Sequence, residues 1–232
     1  MLRKWWNVRG FTLTEVLVVV AITALLLAIL LPSLARARLR SHVVVVHSDL
    51  RHITVALDAY AMEHRDQLPP TRQSCGTRIL YQLPMELAVK KYLPSGPGSL
   101  KRAFFEDLFN RGQTYRYRAP GAVWQNGTLM DFPDSTWRPR ARIWVPDDAP
   151  RCESTSGKYF ANRTHEGRSP VTYAVWSMGP EPDSARFPHW EDGTLDESEM
   201  PLPRRFWFTN EGRASGLITR FRMRQGLTYT SP

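Results

Sequence analysis

A lone carboxylate sits in an otherwise uncharged stretch near the start of this 232-residue chain. From Val16 to Leu31 the sequence reads VLVVVAITALLLAILL, sixteen residues without a charge, and counting back to Phe11 gives twenty-one with Glu15 as the only charge. An ionised carboxylate in apolar surroundings is costly unless a cation neutralises it. Glu15 therefore requires a cationic partner, or a position at the lipid headgroups from which it reaches water. A second acidic grouping lies between residues 181 and 199, where Glu181, Asp183, Glu191, Asp192, Asp196, Glu197 and Glu199 face a single arginine. Hard carboxylate oxygens suit Ca²⁺, with Glu181, Asp183, Asp192 and Asp196 as candidate ligands. No EF-hand spacing is present, and a solvated acidic loop or a subunit contact accounts for the same residues.

Nothing else in the chain reads as catalytic. There is no G-x-S-x-G, Walker loop, H-E-x-x-H, C-x-x-C or Rossmann glycine fingerprint, and His165-Glu166 has no second histidine at the metalloprotease spacing. Enzymatic activity is not expected, and no cofactor is required. Two cysteines, Cys75 and Cys152, are too few for a disulfide framework or a cysteine-rich zinc site. Lys and Arg number 31 against 22 acids, a net charge of +9. Residues 1–10 contribute Arg3, Lys4 and Arg9 and no acid, so the remainder carries 28 against 22, or +6. This mild excess permits nucleic acid or an anionic membrane surface as a partner and demands neither.

The 42% hydrophobic content predicts a folded chain. Residues 11–31 are long enough, at about 1.5 Å per residue, to cross the roughly 30 Å of a bilayer core. A buried core helix is the alternative, but no comparable apolar partner helix follows. A secretory signal would need small residues and a cleavage site after the apolar run; here the charged segment 36–40 follows directly. Beyond Pro32, apolar residues recur as Val43, Val46, Leu50, Ile53, Leu57 and Tyr60, alternating three and four apart as on one face of an amphipathic helix. Pro32 should kink or loosen the helix rather than end it, and the helix should run to about residue 65, before Leu68-Pro69-Pro70. A coiled coil would need more sustained heptads.

Eighteen prolines exclude long helices beyond about residue 110. Short helices are predicted over 84–92 and 101–109, and strands over 114–118, 142–145, 171–178, 204–209 and 217–224. This order of elements predicts an α+β fold, a long N-terminal helix laid on a small antiparallel sheet. The boundaries are 1–10 for a basic leader, 11–32 for the membrane half of the helix, 33–66 for its amphipathic half and 67–232 for the α+β domain.

The stretch GFTLTEVLVVVAITALLLAILLPSLARAR resembles the prepilin class, the type IV pilins and type II secretion pseudopilins. Gly10, Phe11, Glu15 four residues after the Phe and Pro32 twenty-one after it all fall where that family has them. The resemblance implies cleavage between Gly10 and Phe11 by a prepilin peptidase and N-methylation of Phe11. It further implies pairing of Glu15 with the N-terminal ammonium of a neighbouring subunit, and an inner-membrane protein with a cytoplasmic N-terminus and a periplasmic domain. Gly10 has no side chain to obstruct a protease. The charges flanking the span are balanced, so orientation rests on the resemblance alone.

The segment SDLRHITVALDAYAMEHRDQLPP is similar to the region after the membrane helix in pseudopilins, and VTYAVWSMGPEPDS looks like the end of their major domain, where an acidic loop can hold calcium. In an oxidising periplasm a disulfide between Cys75 and Cys152 is permitted; two separate thiols are the alternative. A DNA-binding minor pilin is the second reading of the chain. It rests on Arg220, Arg222 and Arg224 sharing one strand face near Arg204, Arg205, Phe206, Trp207 and Phe208, with an ordinary strand face as the plainer account. An unprocessed single-span anchor carrying a binding domain is the third.

Overall fold

The computed structural model of the chain describes residues 11–73, 82–93, 106–125, 128–130, 143–146, 159–160, 169–180, 201, 204–209 and 216–232. The chain divides into two compact units, Met1–His42 and Val43–Pro232.

The first unit holds the start of a single helix, α1 (Leu13–Glu63), which runs through Pro32 without a break. Pro32 cannot donate to the ladder. One residue on, the Ser33 hydroxyl donates to the Leu30 carbonyl at 2.8 Å, and Thr23 makes the same kind of bond to Val19 at 2.9 Å. The apolar side chains of this segment are exposed, Leu17, Leu25 and Ile29 by 61%, 65% and 67%. It is a helix long and apolar enough to cross a membrane.

In the second unit the predicted stripe becomes the packing face of α1. Val46, Leu50, Ile53 and Leu57 are fully buried and Val43 nearly so, while Val44, Val55 and Met62 point away at 68%, 62% and 83% exposure. The helix stops at Glu63, two residues earlier than expected. Arg65 and Asp66 turn left-handed at φ 54° and 60°, and the Asp66 amide reaches back to the Ala61 carbonyl at 2.8 Å. The chain closes its own helix there, before the prolines.

Within this unit, residues 43–63 of α1 lie on an antiparallel sheet of β2 (Arg116–Arg118), β7 (Val171–Ser177), β8 (Ile218–Met223) and β9 (Thr228–Thr230), in that order. Tyr173 and Arg220 face the helix. On the opposite face, Ala174 and Phe221 are paired in register and join Trp176, Trp144 and Trp207 in an aromatic core. Trp144 and Trp207 meet edge to face at 6.2 Å, and Phe221 stacks on Trp207 at 5.8 Å. The sheet is thus covered on both sides, which is why β7 is buried along nearly its whole length rather than at alternate residues.

A second sheet makes the architecture mixed rather than purely antiparallel. β1 (Thr71–Gln73) pairs parallel with β3 (Val123–Gln125), which pairs antiparallel with β4 (Thr128–Met130). Thr71 ties this sheet to the loop after β2, its hydroxyl donating to the Ala119 carbonyl at 3.0 Å and accepting from the Ala119 amide at 2.9 Å. β5 (Ile143–Trp144) and β6 (Tyr159–Phe160) form a third, two-stranded pair.

Of the two short helices expected, α2 (Met85–Val89) forms, with Pro84 at its N-cap. The other does not. Its residues 101–105 lie outside the described ones, and from Asp107 to Asn110 the chain turns instead. The Asp107 carboxylate accepts from the Phe109 amide and from Asn110 Nδ2, both at 3.1 Å, a side-chain turn that competes with helix. The strand expected over 204–209 is also absent. Arg204–Phe206 forms a 3-10 turn, and an isolated parallel bridge joins Trp207 to Leu217. Its aromatic composition reads as strand, but the side chain of Trp207 serves the core instead.

Candidate functional site at the head of the long helix

Thr12 and Glu15 close on each other at the first turn of α1. The Thr12 amide donates to Glu15 Oε2 at 2.8 Å, the Thr12 hydroxyl donates to the same oxygen at 2.7 Å, and the Glu15 amide donates to Thr12 Oγ1 at 3.3 Å. This is a reciprocal capping box. It satisfies two backbone donors that a helix start leaves without intrahelical partners. The carboxylate also sits where the helix dipole favours negative charge. Glu15 is exposed, and Phe11 near it is 83% exposed. Among the described residues Glu15 has no cationic partner, and its hydrogen-bond donors there are the neutral groups of Thr12.

Thr12 was not among the residues singled out by spacing. Its signal is nevertheless present in the sequence, since T-x-x-E ahead of an apolar run is the capping-box pattern. Gly10 lies outside the described residues, as do Cys75, Cys152 and the acidic residues Glu181, Asp183, Glu191, Asp192, Asp196, Glu197 and Glu199.

The candidate arginine face is placed differently from the expectation of a free strand surface. Arg222 pairs with Asp58 of α1 at 3.1 Å, and Arg220 Nε donates to Thr54 Oγ1 at 3.2 Å. Arg224 Nε donates to the Ser169 carbonyl at 3.3 Å. Arg220 and Arg222 therefore fasten the sheet to the helix instead of presenting a ladder to a nucleic-acid backbone. Phe206, Trp207 and Phe208, offered beside them as stacking surfaces, are half-buried in one case and buried in the other two.

The Ser-x-Gly turn that follows β7 is a structural staple. Ser177 Oγ donates to both oxygens of buried Asp107 at 2.7 and 2.8 Å and accepts from the Gly179 amide at 3.0 Å. Burial raises the Asp107 carboxyl above the usual range despite the hydrogen bonds it receives. Gly179, at φ 73°, packs so closely on Gly216 that a Cβ would stand 1.8 Å from the Gly216 carbonyl oxygen.

The fold and this helix head define a membrane-anchored α+β protein with a single long N-terminal helix. Residues 7–31 match the family model for the prokaryotic N-terminal methylation motif, so the chain carries a segment similar to prepilin-type cleavage and methylation signals. No curated protein and no solved structure matches the chain.

Proposed function

We propose that the chain is a structural subunit, a pseudopilin or minor pilin, of a type II secretion or type IV pilus-like filament. A prepilin peptidase cuts between Gly10 and Phe11, and the new Phe11 amine is methylated. The subunit then waits in the inner membrane, N-terminus in the cytoplasm and α+β body in the periplasm, until it packs with other pilin or pseudopilin subunits. Its role is architectural rather than catalytic and needs no cofactor.

The observation that supports this most directly is the pairing geometry at Glu15. Among the described residues, the donors to this carboxylate are the amide and hydroxyl of Thr12, which are neutral. An ammonium from a neighbouring copy adds the missing countercharge in a low-dielectric setting, so the cost of placing a carboxylate on an apolar helix becomes a device for registering subunits.

N-terminal sequencing and mass spectrometry of membrane-extracted protein test the reading. The expected product starts at Phe11 and is heavier by one methyl group. A native chain still beginning at Met1 and unmethylated would reduce the protein to a tethered domain.

A further inference from the structure

We propose that Arg36, Arg38 and Arg40 form a collar that binds anionic phospholipid headgroups of the leaflet at the C-terminal end of the α1 apolar run. The inference rests on the membrane-spanning part of the proposed function and adds a lipid partner to it.

All three arginines lie on α1 just beyond the uncharged run and are exposed. At 3.6 residues per turn Arg36 and Arg40 share one side of the helix, and Arg38 points to the opposite side. The charge thus surrounds the helix instead of forming a stripe for one protein neighbour. None of the three has an acidic partner among the described residues, and the sequence contains no Asp or Glu between Glu15 and Asp49. No carboxylate one helical turn away on either side can neutralise them. The long arginine stems let the guanidinium groups reach phosphate oxygens while the helix axis stays at the edge of the hydrocarbon.

The spacing to the other end of the span agrees. Glu15 precedes Arg36 by twenty-one residues. At 1.5 Å per residue this is about 31 Å, close to the roughly 30 Å thickness of the hydrocarbon core. With the collar held at one headgroup layer, Glu15 lies at the far edge of the hydrocarbon core, on the apolar side where a neighbour's ammonium is still needed. Basic residues near a charged bilayer surface each strengthen binding by roughly fivefold at modest salt.

The test uses the full chain with the leader charges neutralised (R3Q/K4Q/R9Q), so that only the collar differs between samples. It is reconstituted into phosphatidylcholine vesicles containing a trace of spin-labelled phosphatidylglycerol or spin-labelled phosphatidylcholine. Electron spin resonance then gives the relative occupancy of the two lipids in the motionally restricted shell around the helix. The expected result is a severalfold preference for phosphatidylglycerol that falls to parity in R36Q/R38Q/R40Q and weakens as salt is raised. Equal occupancy in the parent, or an unchanged preference in the triple variant, overturns the collar while leaving the span intact. A complete absence of restricted lipid overturns the collar together with the membrane-spanning reading.

Discussion

Tyr173, in the middle of the main sheet, donates its hydroxyl to the Asp58 carboxylate of α1 at 2.8 Å, and the same carboxylate holds Arg222 at 3.1 Å. Tyr173 is 1% exposed, and burial together with the Asp58 charge raises its phenol far above the ordinary value, so it stays a donor throughout the physiological range. A second tyrosine–aspartate pair lies about two and a half helical turns earlier, where the Tyr115 hydroxyl reaches Asp49 at 2.8 Å. The helix is therefore fixed on the sheet by directional contacts as well as by its apolar stripe. Directional contacts select one rotation and one height of the helix, which an aliphatic stripe alone leaves loose.

Removing the phenol oxygen should expose this contribution. Tyr173→Phe keeps the ring in the core but leaves Asp58 with one fewer donor, and the expected loss is about 1–2 kcal/mol, as for hydrogen bonds to charged groups. Chemical denaturation of the detergent-solubilised chain, followed by tryptophan fluorescence, measures it. Arg222→Gln should cost less, about 1 kcal/mol or under, because the Arg222 and Asp58 side chains are 30% and 33% exposed.

The two faces of the second half of α1 should respond very differently to truncation. Leu50 is fully buried and Val55 is 62% exposed. Leu50→Ala is expected to destabilise the body by about 2–5 kcal/mol and Val55→Ala by less than about 0.5 kcal/mol. Equal effects in denaturant melts would contradict the orientation of the helix.

That orientation was legible in the sequence, because the alternation Val43, Val46, Leu50, Ile53, Leu57 is a direct imprint of helical geometry on a half-buried element. The strands around Tyr173 and Phe221 were legible for the related reason that β-branched and aromatic runs end at turn residues. What escaped were elements whose identity is decided by distant partners. β1 and β3 are three residues long and exist through a parallel pairing across fifty residues of chain, for which no local pattern exists. The turn at Asp107 depends on Ser177, and Arg220 and Arg222 look like a solvated face until Thr54 and Asp58 are brought opposite them. At the helix head the constellation from Gly10 to Pro32 carried the reading, while the part played by Thr12 emerged from hydrogen-bond geometry.

Acidification should weaken the body through His47. Burial lowers its pKa below the ordinary imidazole value; the hydrogen bond to the backbone of Pro232 opposes this, and nearby Arg220 adds a smaller lowering. The folded state therefore binds the proton less readily than the unfolded chain. Stability from this group is complete above the unfolded value of about 6.5 and is lost as pH falls from there through the depressed folded value. Denaturation midpoints between pH 8 and pH 5 should decline more steeply for the native chain than for His47→Gln, and parallel profiles would remove His47 as the cause.

Gly179 should tolerate no side chain. Its φ of 73° disfavours any other residue, and an added Cβ would run into the Gly216 carbonyl oxygen, a backbone atom that cannot swing aside as a side-chain tip would. Gly179→Ala is expected to separate the end of β7 from the strand entering β8 and to lower the melting temperature by several degrees or prevent folding. Gly226 offers the matched control, since it too has a positive φ, 80°, but meets nothing within 4 Å. Gly226→Ala should then cost only the backbone strain, about 1 kcal/mol.

The helix head gives the prediction closest to function. Glu15→Leu removes the carboxylate while lengthening the apolar run, so insertion in the membrane and cleavage after Gly10 should proceed and incorporation into a filament should fail. Thr12→Ala separates the two duties of the capping box. It keeps the carboxylate but withdraws the hydroxyl that donates to Glu15 Oε2 at 2.7 Å and accepts from the Glu15 amide. Loss of such a cap typically costs about 1 kcal/mol of helix stability. If neutral donors merely hold the carboxylate until a neighbour's ammonium arrives, Thr12→Ala should be processed normally and assemble with reduced yield, well above the yield of Glu15→Leu. Shearing filaments from cells and comparing their content with the membrane pool by immunoblot measures this order. Normal assembly of Glu15→Leu would show that the carboxylate is not the registering group.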